Sequence, residues 1–182
     1  GLKNSFSGII VPKKTVAELR MILDNENDDI SISISNNKIR FSNNSLTLTS
    51  KIVDGTFPDY KRVIPINNDK KLKVNASEFS EAVDRVSTVS SERSRAVKLT
   101  LSPGSLQLSV NSPENGKAED EILVNYDQDN LEIGFNGRYL QELASQVDGK
   151  NVEFSFKSSG DPALMRDVDD EGALYVVMPM RV

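Results

Sequence analysis

A helical stretch followed by three short alternating strands occurs twice in this chain of 182 residues, and that repeat constrains the fold more than any other feature. The first copy occupies 12–53. In 12–24, PKKTVAELRMILD, the residues Val16, Leu19, Ile22 and Leu23 fall on one apolar stripe at helical spacing, and Pro12 suits the first helical position. Ile30, Ile32 and Ile34 then alternate with serines. Asn36-Asn37 predicts a tight turn, because Asn tolerates positive φ, and alternation resumes over 38–41 and 45–53 through Leu46, Leu48 and Ile52. The order is α-β-β-β, with the strands expected in an antiparallel meander.

The second copy closes a longer pattern. After 54–70, where Gly55, Pro58, Pro65 and an Asn-Asn-Asp cluster break the periodicity, an extended run at 71–74 leads into a helix over 76–91. Asn75 with Glu78 three residues later is a capping-box-like start, and Phe79, Ala82, Val83 and Val86 make its buried face. Strands are predicted at 97–102, 105–111 and 117–125, divided by Pro103-Gly104 and by a turn over 113–116, and then at 131–135. Asn136 is a good N-cap for a helix over 137–147 that buries Leu140, Leu143, Ala144 and Val147 and stops at Gly149. Strands at 151–157, 163–168 and 173–179 end the chain. Residues 71–182 therefore read as a complete α+β domain, two helices on antiparallel sheet, and 12–53 matches only its second half. So small a first segment has little core, and it is expected to lean on the second, on another chain or on further sequence.

There is no cysteine and no histidine, which excludes disulfides, thiolate nucleophiles and Cys/His metal sites and lowers the prospect of hydrolytic catalysis. The cysteine usage suits a cytoplasmic protein. No apolar run is long enough for a membrane span, and no secretory leader opens the chain, which begins with Gly1. Net charge is −5, an argument against bulk nucleic-acid affinity. The charge is uneven: residues 1–65 carry 9 basic and 7 acidic side chains, and 66–182 carry 13 and 20. A local basic face is compatible with that balance.

Two segments point to a family. One is Gly55-Thr56-Phe57-Pro58-Asp59-Tyr60-Lys61-Arg62-Val63-Ile64-Pro65; the other is Tyr175-Val176-Val177-Met178-Pro179-Met180-Arg181-Val182. Together with Ile133-Gly134-Phe135-Asn136, Tyr139, Val11-Pro12-Lys13-Lys14 and Thr49-Ser50-Lys51, in this order and spacing, they resemble bacterial DNA polymerase III β subunits, the sliding clamps, over nearly the whole chain. The resemblance implies a DNA-clamp fold, with 1–65 as the second half of clamp domain two plus a linker and 66–182 as clamp domain three. It implies a processivity factor without catalytic residues, cofactor or metal. Its partners would be duplex DNA held without sequence preference in a ring lumen, DNA polymerase III and other clamp-binding proteins, and the clamp loader. The family's full-length protein is a homodimeric ring joining domain three to domain one of the next protomer, so this chain alone is not expected to close it.

In the family, partner proteins insert a short linear motif into a groove between domains two and three. The matching positions are Pro58, Arg62, Val63, Asn136, Tyr139, Val176, Met178, Pro179, Met180 and Arg181. The chemistry suits that use, because flexible Met side chains adapt to many partners and Tyr and Arg are common interface anchors. Read from the residues alone, Val176, Met178 and Met180 are one face of an ordinary strand, with Pro179 marking a sheet edge. A sliding ring also needs cations that neutralise phosphates without reading bases. By resemblance these are Lys13, Lys14, Arg20, Arg95 and Arg138, with Arg85 and Arg93 as weaker candidates; from pattern alone all are solvated helix faces. No aromatics interleave with them, so single-strand stacking is not suggested.

Asp167, Asp169, Asp170 and Glu171 form an acidic run without an EF-hand's glycine and closing glutamate, and read as a solvated turn, as do Glu119, Asp120 and Glu121. A carboxylate-pair enzyme would need two acids converging in a cleft, which nothing in the pattern places. The remaining alternative is a structural β-rich interaction adaptor unrelated to replication.

Overall fold

A computed structural model describes residues 8–23, 29–91, 95–147, 149–170 and 172–182. They form two compact units, 1–58 and 59–182, divided inside the aperiodic segment 54–70.

In the first unit, helix α1 (Lys13–Ile22) precedes strands β1 (Ser31–Ile34), β2 (Lys38–Ser42) and β3 (Thr47–Lys51), which make an antiparallel sheet in the order β1-β2-β3. Pro12 is the N-cap and not the first helical residue: its ψ is 140°, and its carbonyl accepts the first helical bond, from the amide of Val16 at 3.2 Å. Leu23 is the C-cap, and the expected last helical residue, Asp24, lies outside the described residues. The apolar stripe is also rotated from expectation. Val16 is exposed, while Thr15 is buried and shares a 2.6 Å hydroxyl–hydroxyl hydrogen bond with Ser50 on β3. A hydrogen-bonded polar pair, whose Ser50 hydroxyl also donates to the Lys51 carbonyl at 3.0 Å, takes a place that hydrophobic periodicity assigned to valine. The β1–β2 hairpin pairs Ile34 with Ile39, and the Ser35 amide donates to the Lys38 carbonyl. No described non-glycine residue has positive φ, so Asn36-Asn37 turns without the left-handed conformation expected of it. Among the described residues of this unit, Ile39 and Phe41 on β2 are the buried apolar side chains.

The second unit contains a 3₁₀ turn (Tyr60–Arg62), then β4 (Lys70–Asn75), α2 (Ala76–Ser87), β5 (Ala96–Ser102), β6 (Ser105–Ser112), β7 (Gly116–Leu123), β8 (Leu131–Asn136), α3 (Gly137–Ala144), β9 (Asn151–Phe156), β10 (Ala163–Asp167) and β11 (Leu174–Val177). Its strands form two antiparallel four-stranded sheets, β11-β10-β9-β4 and β7-β6-β5-β8. Backbone bridges join them at both edges. Lys73 and Asn125 exchange amide–carbonyl bonds of 3.1 and 3.2 Å, and Met180 bonds to Gly134. Between the sheets and helices lies one apolar cluster built on Phe79, Phe135, Phe154, Phe156, Leu99, Leu108 and Met165. Phe79 and Phe154 meet at 5.2 Å between ring centroids, and Phe154 stacks on Phe156 at 5.9 Å.

Both asparagine caps form. Asn75 accepts from the Glu78 amide at 3.0 Å, and Asn136 from the Arg138 amide at 3.0 Å. Both helices end earlier than expected, α2 at Ser87 and α3 at Ala144. After Ala144 the amides of Gln146 and Val147 turn back three residues, to Leu143 and Ala144, so the chain tightens and Val147 still packs on the core without being α-helical. At the end of α2 the Thr88 hydroxyl donates to the Arg85 carbonyl at 2.8 Å, and the Ser90 amide turns back to Ser87. Gly149 is no helix stop. Its amide donates to Asp167, and a Cβ there would lie 2.5 Å from carboxylate oxygens of both Asp167 and Asp169. Asp167 is accordingly buried, capping the amides of Gly149 and Asp169, and is not part of a solvated turn; Glu171 lies outside the described residues.

Candidate functional site

The C-terminal segment is where the second unit differs most from its sequence pattern. Strand β11 stops at Val177, so Val176, Met178 and Met180 are not one face of a continuous strand. Proline at 179 has no amide to give the ladder. Beyond it the tail leaves its own sheet and reaches β8, the edge of the other, where the Met180 amide donates to the Gly134 carbonyl at 2.8 Å. Gly134 is buried in β8, and a Cβ at that position would stand 2.3 Å from Cγ1 of Val182 and 2.7 Å from the Met180 carbonyl oxygen. Only glycine lets the tail lie that close.

The tail walls a cleft of about 670 Å3 whose lining includes Gly134, Ser159, Gly160, Pro179, Met180 and Arg181. Its backbone is pinned while its methionines stay open: Met178 is 64% exposed and Met180 38%. Asn136, the α3 cap, ends the strand that carries Gly134, and Tyr139 stands one turn into α3, 55% exposed. Val176 is half-buried beside Leu164 of β10. Arg62 and Val63 are exposed at the 3₁₀ turn, with Arg62 paired to Asp59 at 3.0 Å. Pro58 is exposed at the end of the first unit. The tail thus meets β8, the strand from which α3 starts at Asn136. Gly134, Ser159 and Gly160 were not picked out by sequence as lining residues; the available signal was a glycine inside an alternating strand, which marks close backbone approach.

The cations divide by pairing. Lys13, Lys14 and Arg20 on α1 are exposed and Arg95, just before β5, is half-buried; none has a carboxylate within 4.0 Å among the described residues. Arg138 is held by Glu142 at 2.9 Å, one helical turn on. Arg85 is held at 2.7 Å by Asp120 of β7 and at 3.6 Å by Glu81. That hydrogen bond above all holds the Arg85 proton more tightly than usual; partial desolvation opposes it, and the charges of Asp120, Glu81 and Glu78 add to it. Glu121 is likewise engaged, accepting from Ser105 at 2.6 Å. Arg93 lies outside the described residues. Among the described residues no group of three or more acids forms a metal-binding cluster, and no helix is long and apolar enough to cross a membrane.

Paired helices under two edge-joined antiparallel sheets, with the chain's last residues walling a surface cleft, define an α+β clamp domain. The family model described as DNA polymerase III beta subunit, C-terminal domain, matches residues 61–181, and that of the central domain matches 2–59. The beta sliding clamp of Caulobacter vibrioides is 45% identical over 175 residues, 96% of this chain and 47% of its own length. That of Escherichia coli K12 is 37% identical over 174 residues, covering 96% and 48%. A sliding clamp from Bartonella birtlesii, solved bound to griselimycin, superposes with a TM-score of 0.90 at 51% identity, over 97% of this chain and 48% of that one. The chain belongs to the bacterial DNA polymerase III β subunit family, the β sliding clamps, and spans about half the length of the relatives it matches.

Proposed function

We propose that this chain is the part of a replicative sliding clamp that captures partner proteins, tethering DNA polymerase III and other replication and repair proteins to duplex DNA by binding and not by turnover. The observation that carries this reading is the C-terminal tail: its backbone is held on β8 by the Met180–Gly134 bond while the side chains of Met178 and Met180 stay exposed. A pinned backbone with adaptable thioether side chains suits a groove that accepts varied short motifs. Pro58, Arg62, Val63, Asn136, Tyr139, Val176, Met178, Pro179, Met180 and Arg181 are its proposed contact residues. Lys13, Lys14, Arg20, Arg95 and Arg138 are proposed to meet phosphates, without base contacts. The full-length assembly is proposed to be a homodimeric ring opened by a clamp loader, and to act in the cytoplasm.

The groove is tested by fluorescence anisotropy with a short labelled peptide rich in Gln, Leu and Phe, comparing this chain with one that lacks 178–182. Binding that disappears on deletion supports the tail as the site. Absence of binding both here and in a chimera carrying a complete central domain overturns the groove and returns the choice to a β-rich adaptor.

A further inference from the structure

On the outer face of the β11-β10-β9-β4 sheet, beside the segment 64–68, lies a second cleft of about 340 Å3, lined among others by Ile64, Ile66, Leu164, Lys71 and Arg166. Strand register connects it to the proposed groove. Val176 lies opposite Leu164, Leu164 opposite Ser155, and Ser155 opposite Lys71. In the adjacent row Leu174 lies opposite Arg166, and Arg166 opposite Glu153. These are the outward rows, because their neighbours Ala163, Met165, Phe154 and Val177 belong to the interior cluster.

The chemistry of this face is mixed. Ile66 is 89% exposed and Leu174 41%. Glu153 is taken by Lys71 at 3.4 Å, which leaves the exposed Arg166 guanidinium with no carboxylate within 4.0 Å among the described residues. An unneutralised arginine beside exposed aliphatic side chains, one strand from Val176, is a receptor for a carboxylate on a short apolar stem.

We propose that this outer-face cleft is an auxiliary subsite that takes an acidic residue flanking the groove-binding segment of a partner, with its carboxylate on Arg166 and its stem against Ile66 and Leu164. The inference rests on the groove reading above and adds to it a preference for the charge of the flanking sequence.

The sign of the effect makes it testable. The chain carries a net charge of −5, so charge as a whole disfavours an acidic peptide, and a preference for one reports a local cation. Labelled peptides share the Gln-, Leu- and Phe-rich core and carry an acidic, neutral or basic extension at one end or the other. At low salt the acidic extension at one end is expected to bind about threefold tighter than the neutral one, as for an exposed ion pair. Arg166→Glu is expected to reverse the ranking in favour of the basic extension, and about 0.5 M salt to erase it. Arg166→Gln, which removes the charge without reversing it, is expected to equalise the three. Equal affinities on the unaltered chain, or a ranking untouched by Arg166→Glu, overturn the subsite and leave the groove standing. A core peptide that binds no form of the chain overturns groove and subsite together. Thermal melting of both variants should match the parent, because the Arg166 side chain is exposed.

Discussion

The Met180 amide donates to the Gly134 carbonyl across 2.8 Å, and this single backbone bond carries the chain's last residues from one sheet to the edge of the other. It depends on the missing side chain at 134, where a Cβ would be 2.3 Å from Val182 and 2.7 Å from the Met180 carbonyl. Gly134→Val should therefore dislodge the tail. The expected result is loss of peptide binding by about tenfold or more, of the size given by one hydrogen bond and the ordering it provides, with most of the thermal stability retained. Anisotropy and melting measured on the same sample check both halves. Undiminished peptide affinity would show that the tail's position does not matter to binding.

The aromatic centre of the second unit makes a separate prediction. Phe154 is buried between Phe79 and Phe156, at centroid distances of 5.2 and 5.9 Å. Phe154→Ala removes the ring common to both contacts, and is expected to cost about 3–5 kcal/mol in denaturant unfolding, while Phe154→Leu costs much less. A loss below about 1 kcal/mol for the alanine variant would contradict the packing described.

How much of this was legible in the sequence depended on whether the determining physics was local. Asn75 and Asn136 were readable as caps because capping is a contact with residues two or three positions away. The core face of α2 was readable because Phe79, Ala82, Val83 and Val86 follow the helical period. Thr15 was not, because its hydrogen-bond partner is Ser50, 35 residues on. The end of β11 was misjudged for the same reason: alternation continues through Met178 and Met180, but the Met180 amide finds its partner in another sheet. Candidate cations were visible as residue types, whereas the pairing that separates Arg85 from Lys13 depends on Asp120, again 35 residues away. Family resemblance supplied the proposed groove residues; the close approach of the tail to Gly134 is a property of the folded chain.

Asn136 combines two jobs that can be separated. Its side-chain oxygen caps α3 at the Arg138 amide, and it stands beside the proposed groove. Asn136→Asp keeps an acceptor for the cap and should leave stability within about 0.5 kcal/mol, whereas Asn136→Ala should lose about 1 kcal/mol. If Asn136 also contacts peptide through its amide nitrogen, the aspartate variant binds more weakly at unchanged melting temperature. Equal peptide affinity in the parent and the aspartate variant would confine Asn136 to capping.

Tyr126 makes the fold sensitive to alkali. Its phenol is buried and donates to the Asp129 carbonyl. Burial first, and then the negative charges of Asp129, Asp69 and Asp127, raise its pKa above the ordinary value. The folded chain thus holds this proton more tightly than the unfolded chain. Its contribution to stability is complete below about pH 10 and is lost as pH rises through the raised folded value. Urea titrations across that range should show stability falling more steeply for the parent than for Tyr126→Phe, which has no phenol to ionise. Parallel curves would remove Tyr126 as the cause.

The division of cations into paired and unpaired gives the last prediction, on DNA. Lys13 and Lys14 are exposed with no carboxylate partner among the described residues, whereas Arg85 is committed to Asp120 and Glu81. A cation already neutralised by protein gains little by meeting a phosphate, since it must first give up its carboxylate. Binding to a labelled duplex should be weak and should fall with salt, with a log–log slope of about 0.9 for each phosphate contacted. Replacing both Lys13 and Lys14 by Gln should flatten that slope by roughly one to two contacts, equally for duplexes of unrelated sequence, while Arg85→Gln leaves it nearly unchanged. The reverse ranking would mean that the α2 end and not α1 faces the nucleic acid, and that the Arg85–Asp120 pair opens on binding.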